Sequence, residues 1–138
     1  MFRQEWDEAI RSKERFHFYH SFKCSLDEEL YLSHVNTYCF RVALTQFRLG
    51  VLPINNNMFR YDNLIVKRNC PVCNVPEDEE HIFVTCKLYA SLRSKVFTGF
   101  PIPVTARKAL TLVDATSCKT VTKYVFLAMK IRKRTFNQ

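Results

Sequence analysis

The chain has 138 residues, a formal net charge of +8 and a hydrophobic content of 47%. This length fits one domain, and an aromatic content of 14% with only 2 glycines argues against disorder and against a turn-rich all-β fold. No apolar run approaches the length of a transmembrane span, and residues 1–10 lack the hydrophobic core of a signal peptide. We therefore predict a mainly α protein that is intracellular, either nuclear or cytoplasmic, and has no membrane partner.

Sequence patterns in the first third of the chain predict three helices. Residues 3–15 place apolar side chains on one side and charged ones on the other. Ser25 and Glu28 have the spacing of a capping box at the start of a short second helix. Apolar residues then recur at helical spacing over residues 37–49, and Gly50 is placed to end this third helix.

The next segment favours non-helical backbone. The three asparagines at 55–57 are turn formers, and the apolar residues from Phe59 to Val66 indicate an extended or irregular stretch. We divide the chain into an N-terminal helical segment (1–50), a metal-binding module (51–97) and a C-terminal basic helical segment (98–138). Together they are expected to form one compact domain.

Four potential metal ligands, Cys70, Cys73, His81 and Cys86, follow the spacing C-x2-C-x7-H-x4-C. Two cysteines two residues apart can bring both sulfurs onto one ion, and a histidine with a third cysteine completes a tetrahedron. This is the ligand set that structural zinc prefers, with no position left open for water or substrate. The alternative is ordinary buried cysteines beside a surface histidine. The three other cysteines, which sit among apolar residues, are predicted to be buried reduced thiols: Cys24, Cys39 and Cys118.

An acidic run, Glu77 to Glu80, precedes the candidate histidine. Paired carboxylates raise the question of acid–base catalysis, but acidic side chains are also typical of helix N-termini, and we favour this second role. We predict a short helix over 78–84 that carries His81. His81 and Cys86 lie about 140° apart around an ideal helix, so Cys86 should sit at a break before a further helix over 87–97.

The C-terminal segment carries most of the charge, because residues 107–138 contain eight basic residues against Asp114 alone. Pro101 and Pro103 interrupt helix formation, and short and long helices are predicted near 105–113 and 117–134. In the long helix five basic residues form a stripe opposite the apolar face: Lys119, Lys123, Lys130, Lys133 and Arg134. The stripe is either an ordinary solvated face or a phosphate-contacting one in which Phe126 stacks on a base.

The zinc stretch resembles the zinc-binding region of non-LTR (LINE-type) retrotransposon polyproteins, which lies downstream of their reverse transcriptase. The resemblance rests on the pattern R-x-C-P-x-C, an acidic run, and E-x-H-I-F-x-x-C-x-x-Y with a following arginine. The matching residues are Arg68, Cys70, Pro71, Cys73, Glu79, His81, Phe83, Cys86, Tyr89 and Arg93. Upstream, residues 46–54 are similar to the segment that precedes the motif in that family, and residues 121–132 are similar to its closing helix.

The resemblance implies a non-catalytic module that holds RNA or DNA, with zinc as its cofactor and no small-molecule substrate. The chain has no Asp-Asp doublet, so the paired aspartates of a polymerase are missing. A chain that starts with Met and stands alone suggests the end of such an element, either decayed or taken over as a host gene. Candidate nucleic-acid contacts near the metal are Arg60, Lys67, Arg68 and Lys87, and the α-helical stripe adds the rest.

Two other functions remain open from the sequence. In the first, zinc only holds a small core together, and the chain is a structural or protein-interaction module. In the second, the chain is an enzyme. The sequence gives this little support, because it has no Gly-rich phosphate loop and no nucleophile–base pair at a recognisable spacing.

Overall fold

A computed structural model of the chain describes residues 2–12, 31–61, 68–100, 104–111 and 114–136. The α-helices in these ranges are α1 (Phe2–Ser12), α2 (Tyr31–His34), α3 (Tyr38–Arg48), α4 (Asn55–Tyr61), α5 (Ala90–Val96), α6 (Ala106–Thr111) and α7 (Ala115–Phe136). A π-helical turn (His81–Thr85) and a 3-10 turn (Lys87–Tyr89) lie between α4 and α5. The described ranges contain no β-strand, only an isolated bridge between Asn69 and Pro76.

The mainly α fold class predicted from the sequence is confirmed. α1, α3, α6 and α7 overlap the helices expected near 3–15, 37–49, 105–113 and 117–134. The capping box at Ser25 and Glu28 lies outside the described residues, as do Cys24 and Lys67. None of the described helices is both long enough and apolar enough to cross a membrane.

An aromatic cluster in the core joins α3, the π-turn and α7. Phe83, which is 1% exposed, stacks on Phe47 with ring centroids 4.9 Å apart. Its ring also contacts Tyr124 of α7 at 4.9 Å, and Tyr124 in turn contacts Phe97 at 4.8 Å. Aromatic pairs at these distances add to the free energy of burial. The segment that carries the candidate metal ligands therefore belongs to the core itself.

The asparagines at 55–57 begin helix α4, so the predicted turn is wrong there, and the predicted extended stretch is wrong as far as Tyr61. Asn has a modest helix propensity, but tertiary contacts outweigh it here. The backbone N–H of Asn55 donates to the Glu77 carboxylate at 2.6 Å, and that of Asn56 donates to the Glu77 carbonyl at 3.2 Å. The Asn57 side chain donates to the carbonyl of Leu52 and to the carboxylate of Glu79.

Two of the three remaining cysteines lie in the described ranges, and they differ. Cys118 is buried, as expected, at 4% exposure, and burial raises the pKa of its thiol. Cys39 is exposed, so its predicted burial is wrong. It lies in the first turn of α3, on the side of that helix that lines a surface groove against α7.

Candidate metal centre

The first two ligands, Cys70 and Cys73, lie in a tight backbone turn. The N–H of Cys70 donates to the Val75 carbonyl at 2.7 Å, and the N–H of Asn74 donates to the Cys70 carbonyl at 2.8 Å. Asn74 has a φ of 56°, in the left-handed region that asparagine tolerates better than most residues. This turn brings the two thiols to one end of a short hairpin, as the C-x2-C spacing predicted.

The other two ligands, His81 and Cys86, lie at the two ends of the π-helical turn. The N–H of Cys86 donates to the His81 carbonyl at 2.8 Å, which is the i to i+5 bond of a π-helix. Cys86 itself has extended backbone, with φ −62° and ψ 124°. The predicted break at Cys86 is therefore confirmed. The wider turn, which the sequence did not suggest, accounts for two residues five apart facing the same point.

The four ligand atoms converge on one point. The three sulfurs and a nitrogen of the His81 ring all lie within 4.8 Å of one another. The Cys86 sulfur is 3.9 Å from the sulfurs of both Cys70 and Cys73. In a tetrahedral zinc–thiolate site with Zn–S bonds of about 2.3 Å, two sulfurs are about 3.8 Å apart. The arrangement therefore has the dimensions of a four-coordinate metal site.

The hydrogen bonding of His81 leaves its Nε2 atom available to bind a metal ion. His81 Nδ1 and the Thr85 hydroxyl are 2.8 Å apart, whereas Nε2 is buried and has no hydrogen-bond partner. A buried ring nitrogen without a partner is costly unless a ligand satisfies it. Burial lowers the pKa of His81, which favours the neutral imidazole that metals bind. Thr85 plays the orienting part that a hydrogen-bonded neighbour plays for many metal-bound histidines.

The three thiols also favour a cation between them. Burial, together with the neighbouring thiols, raises the pKa of Cys86 to about 12, whereas the backbone N–H of Lys87 lowers the pKa of Cys73. Three thiolates this close repel one another, and a divalent ion removes that repulsion by binding all of them. Cys70 and Cys86 are 1% and 0% exposed, so water cannot screen them.

The acidic run binds the starts of three separate helical elements. Asp78 accepts a hydrogen bond from the N–H of His81 at 2.8 Å, at the start of the π-turn. Glu77 accepts from the N–H of Asn55 in α4, and Glu80 accepts from the N–H of Ala106 in α6 at 3.1 Å. The expected role at helix N-termini thus holds, but two of the three helices lie elsewhere in the chain.

Three residues that the sequence left without a role brace the metal segment. Arg93 donates to the carbonyls of Ile82 and Cys86, at 3.1 and 2.7 Å. The Tyr124 hydroxyl donates to the Ile82 carbonyl at 2.5 Å. Arg132 belongs to the C-terminal basic run in the sequence, where its neighbours Lys130, Lys133 and Arg134 are exposed. It is itself only 9% exposed, and it forms an ion pair with Glu77 at 2.8 Å. Only its position on the apolar face of the last helix could have suggested burial.

The basic stripe of α7 lies on the side of the helix opposite Arg132. The angle about the helix axis between Arg132 and the middle of the stripe is about 160°. All five members of the stripe are exposed: Lys119, Lys123, Lys130, Lys133 and Arg134. Because Arg132 contacts Glu77 of the metal segment, the stripe lies on the side of α7 that faces away from Glu77. Of the candidate contacts near the metal, Arg68 and Lys87 are exposed, Arg68 lies over the Phe59 ring at 5.1 Å, and the Arg60 side chain is outside the described part of the chain.

Phe126, the aromatic residue within the stripe, is half-buried. Its ring packs edge-on against Phe40 of α3, with centroids 4.9 Å apart.

No family model, no curated protein sequence and no solved structure matches this chain. Its function must therefore be argued from its own residues and from the motif of the metal segment.

Proposed function

We propose that this chain is a non-catalytic zinc-binding module that binds nucleic acid through the basic stripe of α7. The proposal extends the resemblance of residues 68–93 to the zinc-binding region of LINE-type retrotransposon polyproteins. The observation that carries it is the stripe itself, an exposed row of cations on a helix that contains no acidic residue. The metal centre supports the module but lies on the other side of α7.

Zinc is the ion that fits the ligands best. Three thiolates and one imidazole form a soft, tetrahedral set, and zinc has no competing geometric preference. All four ligands come from the protein, and three of them are buried, so no position is left for a substrate. The ion would thus stabilise the fold, as structural zinc does in other small domains.

The stripe has the charge and length needed to follow a phosphate backbone. Lys119 and Arg134 are fifteen residues apart, which corresponds to about 22 Å of helix. Arg132, the sixth basic residue of α7, is neutralised by Glu77. None of the five stripe residues forms an ion pair with a carboxylate within the described ranges. Exposed cations in a row, without local counter-charges, favour a polyanionic partner.

Metal analysis and a salt titration test the two halves of the proposal. Metal analysis of the purified protein should find about one zinc ion per chain, the number a single Cys3His set holds. A mixture of metals or no metal would contradict the first half. For the second half, the affinity for a short oligonucleotide should fall steeply between about 50 and 200 mM salt.

Five phosphate contacts give a log–log slope of about −3.5 for a single strand and about −4.5 for a duplex. Replacing Lys119, Lys123, Lys130 and Lys133 with glutamine should reduce that slope to about −1 and weaken binding at low salt. The charge-matched comparison sets Lys119→Gln with Lys133→Gln, which lie on the stripe, against Lys95→Gln with Lys108→Gln, which are exposed on α5 and α6. A flat salt response of the wild-type protein, or equal effects of the two sets, would refute nucleic-acid binding through α7.

A further inference from the structure

We propose that the groove between α3 and α7 binds unpaired bases, so that the ligand of this chain is a single-stranded nucleic acid. This inference rests on the proposed function, and it adds the class of nucleic acid and the surface that selects it. The groove has a volume of about 610 Å³. Pockets of this size are large enough for small planar ligands.

The floor of the groove is apolar. Six of the residues that line the groove are apolar, and they outnumber the two others there that are not cationic, Cys39 and Gln46: Tyr38, Val42, Ala43, Pro53, Phe126 and Met129. Two of them contribute aromatic rings, and a methionine side chain adapts its shape to what it contacts. The groove thus offers what the face of a nucleobase needs, namely apolar and aromatic surface with little competition from polar groups.

Tyr38 is the residue best placed to stack on a base. It is the first residue of α3, and its side chain is 82% exposed, the largest value among the exposed hydrophobic residues of the described chain. Phe126 is half-buried with its ring against Phe40, so part of its surface is already used. A ring that stands in solvent beside an apolar groove can stack on any base, because every base has a π-face.

Three cations form one edge of the groove: Lys130, Lys133 and Arg134. They belong to the stripe of α7, so phosphates held on the stripe would pass along this edge. Bases attached to those phosphates reach the apolar floor only when they are unpaired. In a duplex the bases are stacked inside the helix, and their faces are not accessible.

The stripe continues past the groove, and this favours a nucleic acid over an acidic peptide. On the other side of the Phe40–Phe126 pair, Lys119 and Lys123 line a second depression next to residues 34–37. A polyanionic strand with a charge at every unit can contact both ends of the stripe at once. An acidic amphipathic helix seated in the apolar groove would leave the lysines of the second depression unused.

Fluorescence anisotropy with a labelled oligothymidine of about ten nucleotides tests the inference, alongside a duplex of the same length and an oligouridine. Replacing Tyr38 with alanine should raise the Kd for the single strand about 5- to 150-fold, the effect of losing one stacked base. The salt slope should stay unchanged, because the phosphate contacts remain. Tyr38→Phe should bind like the wild type, and Met58→Ala is the matched control, an exposed apolar residue on α4.

The outcomes separate this inference from the proposed function. If Tyr38→Ala binds the single strand as the wild type does and the salt slope persists, unpaired bases do not use the groove, but binding through α7 stands. If neither oligonucleotide shows salt-dependent binding, the proposed function fails and this inference fails with it. Equal affinities for single strand and duplex would overturn the inference. The inference would also be overturned if an amphipathic Leu/Glu peptide bound the wild-type protein but not the Tyr38→Ala variant, and oligothymidine did not bind the wild-type protein. Oligothymidine and oligouridine together distinguish a DNA strand from an RNA strand.

Discussion

Replacing Arg132 with methionine is expected to lower the free energy of unfolding by about 3–5 kcal/mol, because the change leaves a buried carboxylate without its cation. Glu77 is 1% exposed and accepts hydrogen bonds from Arg132 Nε at 2.8 Å and from Nη2 at 2.9 Å. The same Nη2 donates to the Asn55 side chain at 2.9 Å. One guanidinium therefore ties α7 to the acidic run and to the start of α4.

The magnitude follows from what remains after the change. Methionine fills most of the volume of the arginine stem, so little packing is lost. Two charge-assisted hydrogen bonds disappear, each contributing about 1.5–3 kcal/mol, and the carboxylate keeps only its bond from the N–H of Asn55. Glu77→Gln combined with Arg132→Met removes both charges. The double variant should therefore be more stable than the sum of the two single changes predicts, by about 2–3 kcal/mol.

Urea unfolding of the zinc-saturated protein, followed by far-UV circular dichroism, measures all four members of this cycle. Lys133→Met is the control, since Lys133 is the next residue and is exposed, and it should change stability by less than about 0.5 kcal/mol. A loss below about 1 kcal/mol for Arg132→Met, or purely additive changes in the cycle, would refute the reasoning that the Glu77–Arg132 pair is buried and coupled.

Two further predictions concern the metal centre. Thr85→Val removes the partner of His81 Nδ1 and should weaken zinc binding about 10- to 100-fold, as measured in competition with a chelating dye. Thr135→Val, which changes an exposed residue of α7, should leave the zinc affinity unchanged. Equal zinc affinities for the wild type and both variants would count against an orienting role of Thr85. Removing zinc with a strong chelator, or by Cys86→Ser, should lower the thermal midpoint, and zinc should restore it only for the wild type. Cys39→Ser, at the exposed cysteine, is the control, and an unchanged midpoint after chelation would show that the ion does not support the fold.

Local patterns were sufficient to predict the candidate metal ligands and most of the helices in the described ranges. The C-x2-C turn and the later histidine and cysteine carry their chemistry in their spacing, and the structure brings all four ligand atoms together. α3 and α7 follow the periodicity of their apolar residues. These features depend on residues close in sequence, which is why one sequence contains enough information to find them.

The features that the sequence did not predict depend on contacts between distant residues. Asn55–Tyr61 is helical because Glu77, twenty-two residues after Asn55, binds the first N–H group of the helix. Arg132 is paired with Glu77 across fifty-five residues, although Lys130, Lys133 and Arg134 close to it in sequence are exposed cations. Cys39 is exposed because the groove that it lines between α3 and α7 is open to solvent, which a short apolar neighbourhood does not reveal. Propensity and local composition are weak guides wherever such contacts decide.

The π-helical turn has a consequence for how the rest of the domain is oriented. A backbone that relaxed from the five-residue turn to an ordinary α-helical one would change the angle of everything after residue 85 by about 100°. Tyr89 and Phe97, which are 1% and 4% exposed, would then point away from the aromatic cluster. By holding His81 and Cys86 together, a bound ion would fix the rotation of the following helix about its own axis, and thereby which of its side chains face the core. Metal binding at the site and the packing of Tyr89 and Phe97 in the aromatic cluster would therefore be thermodynamically coupled.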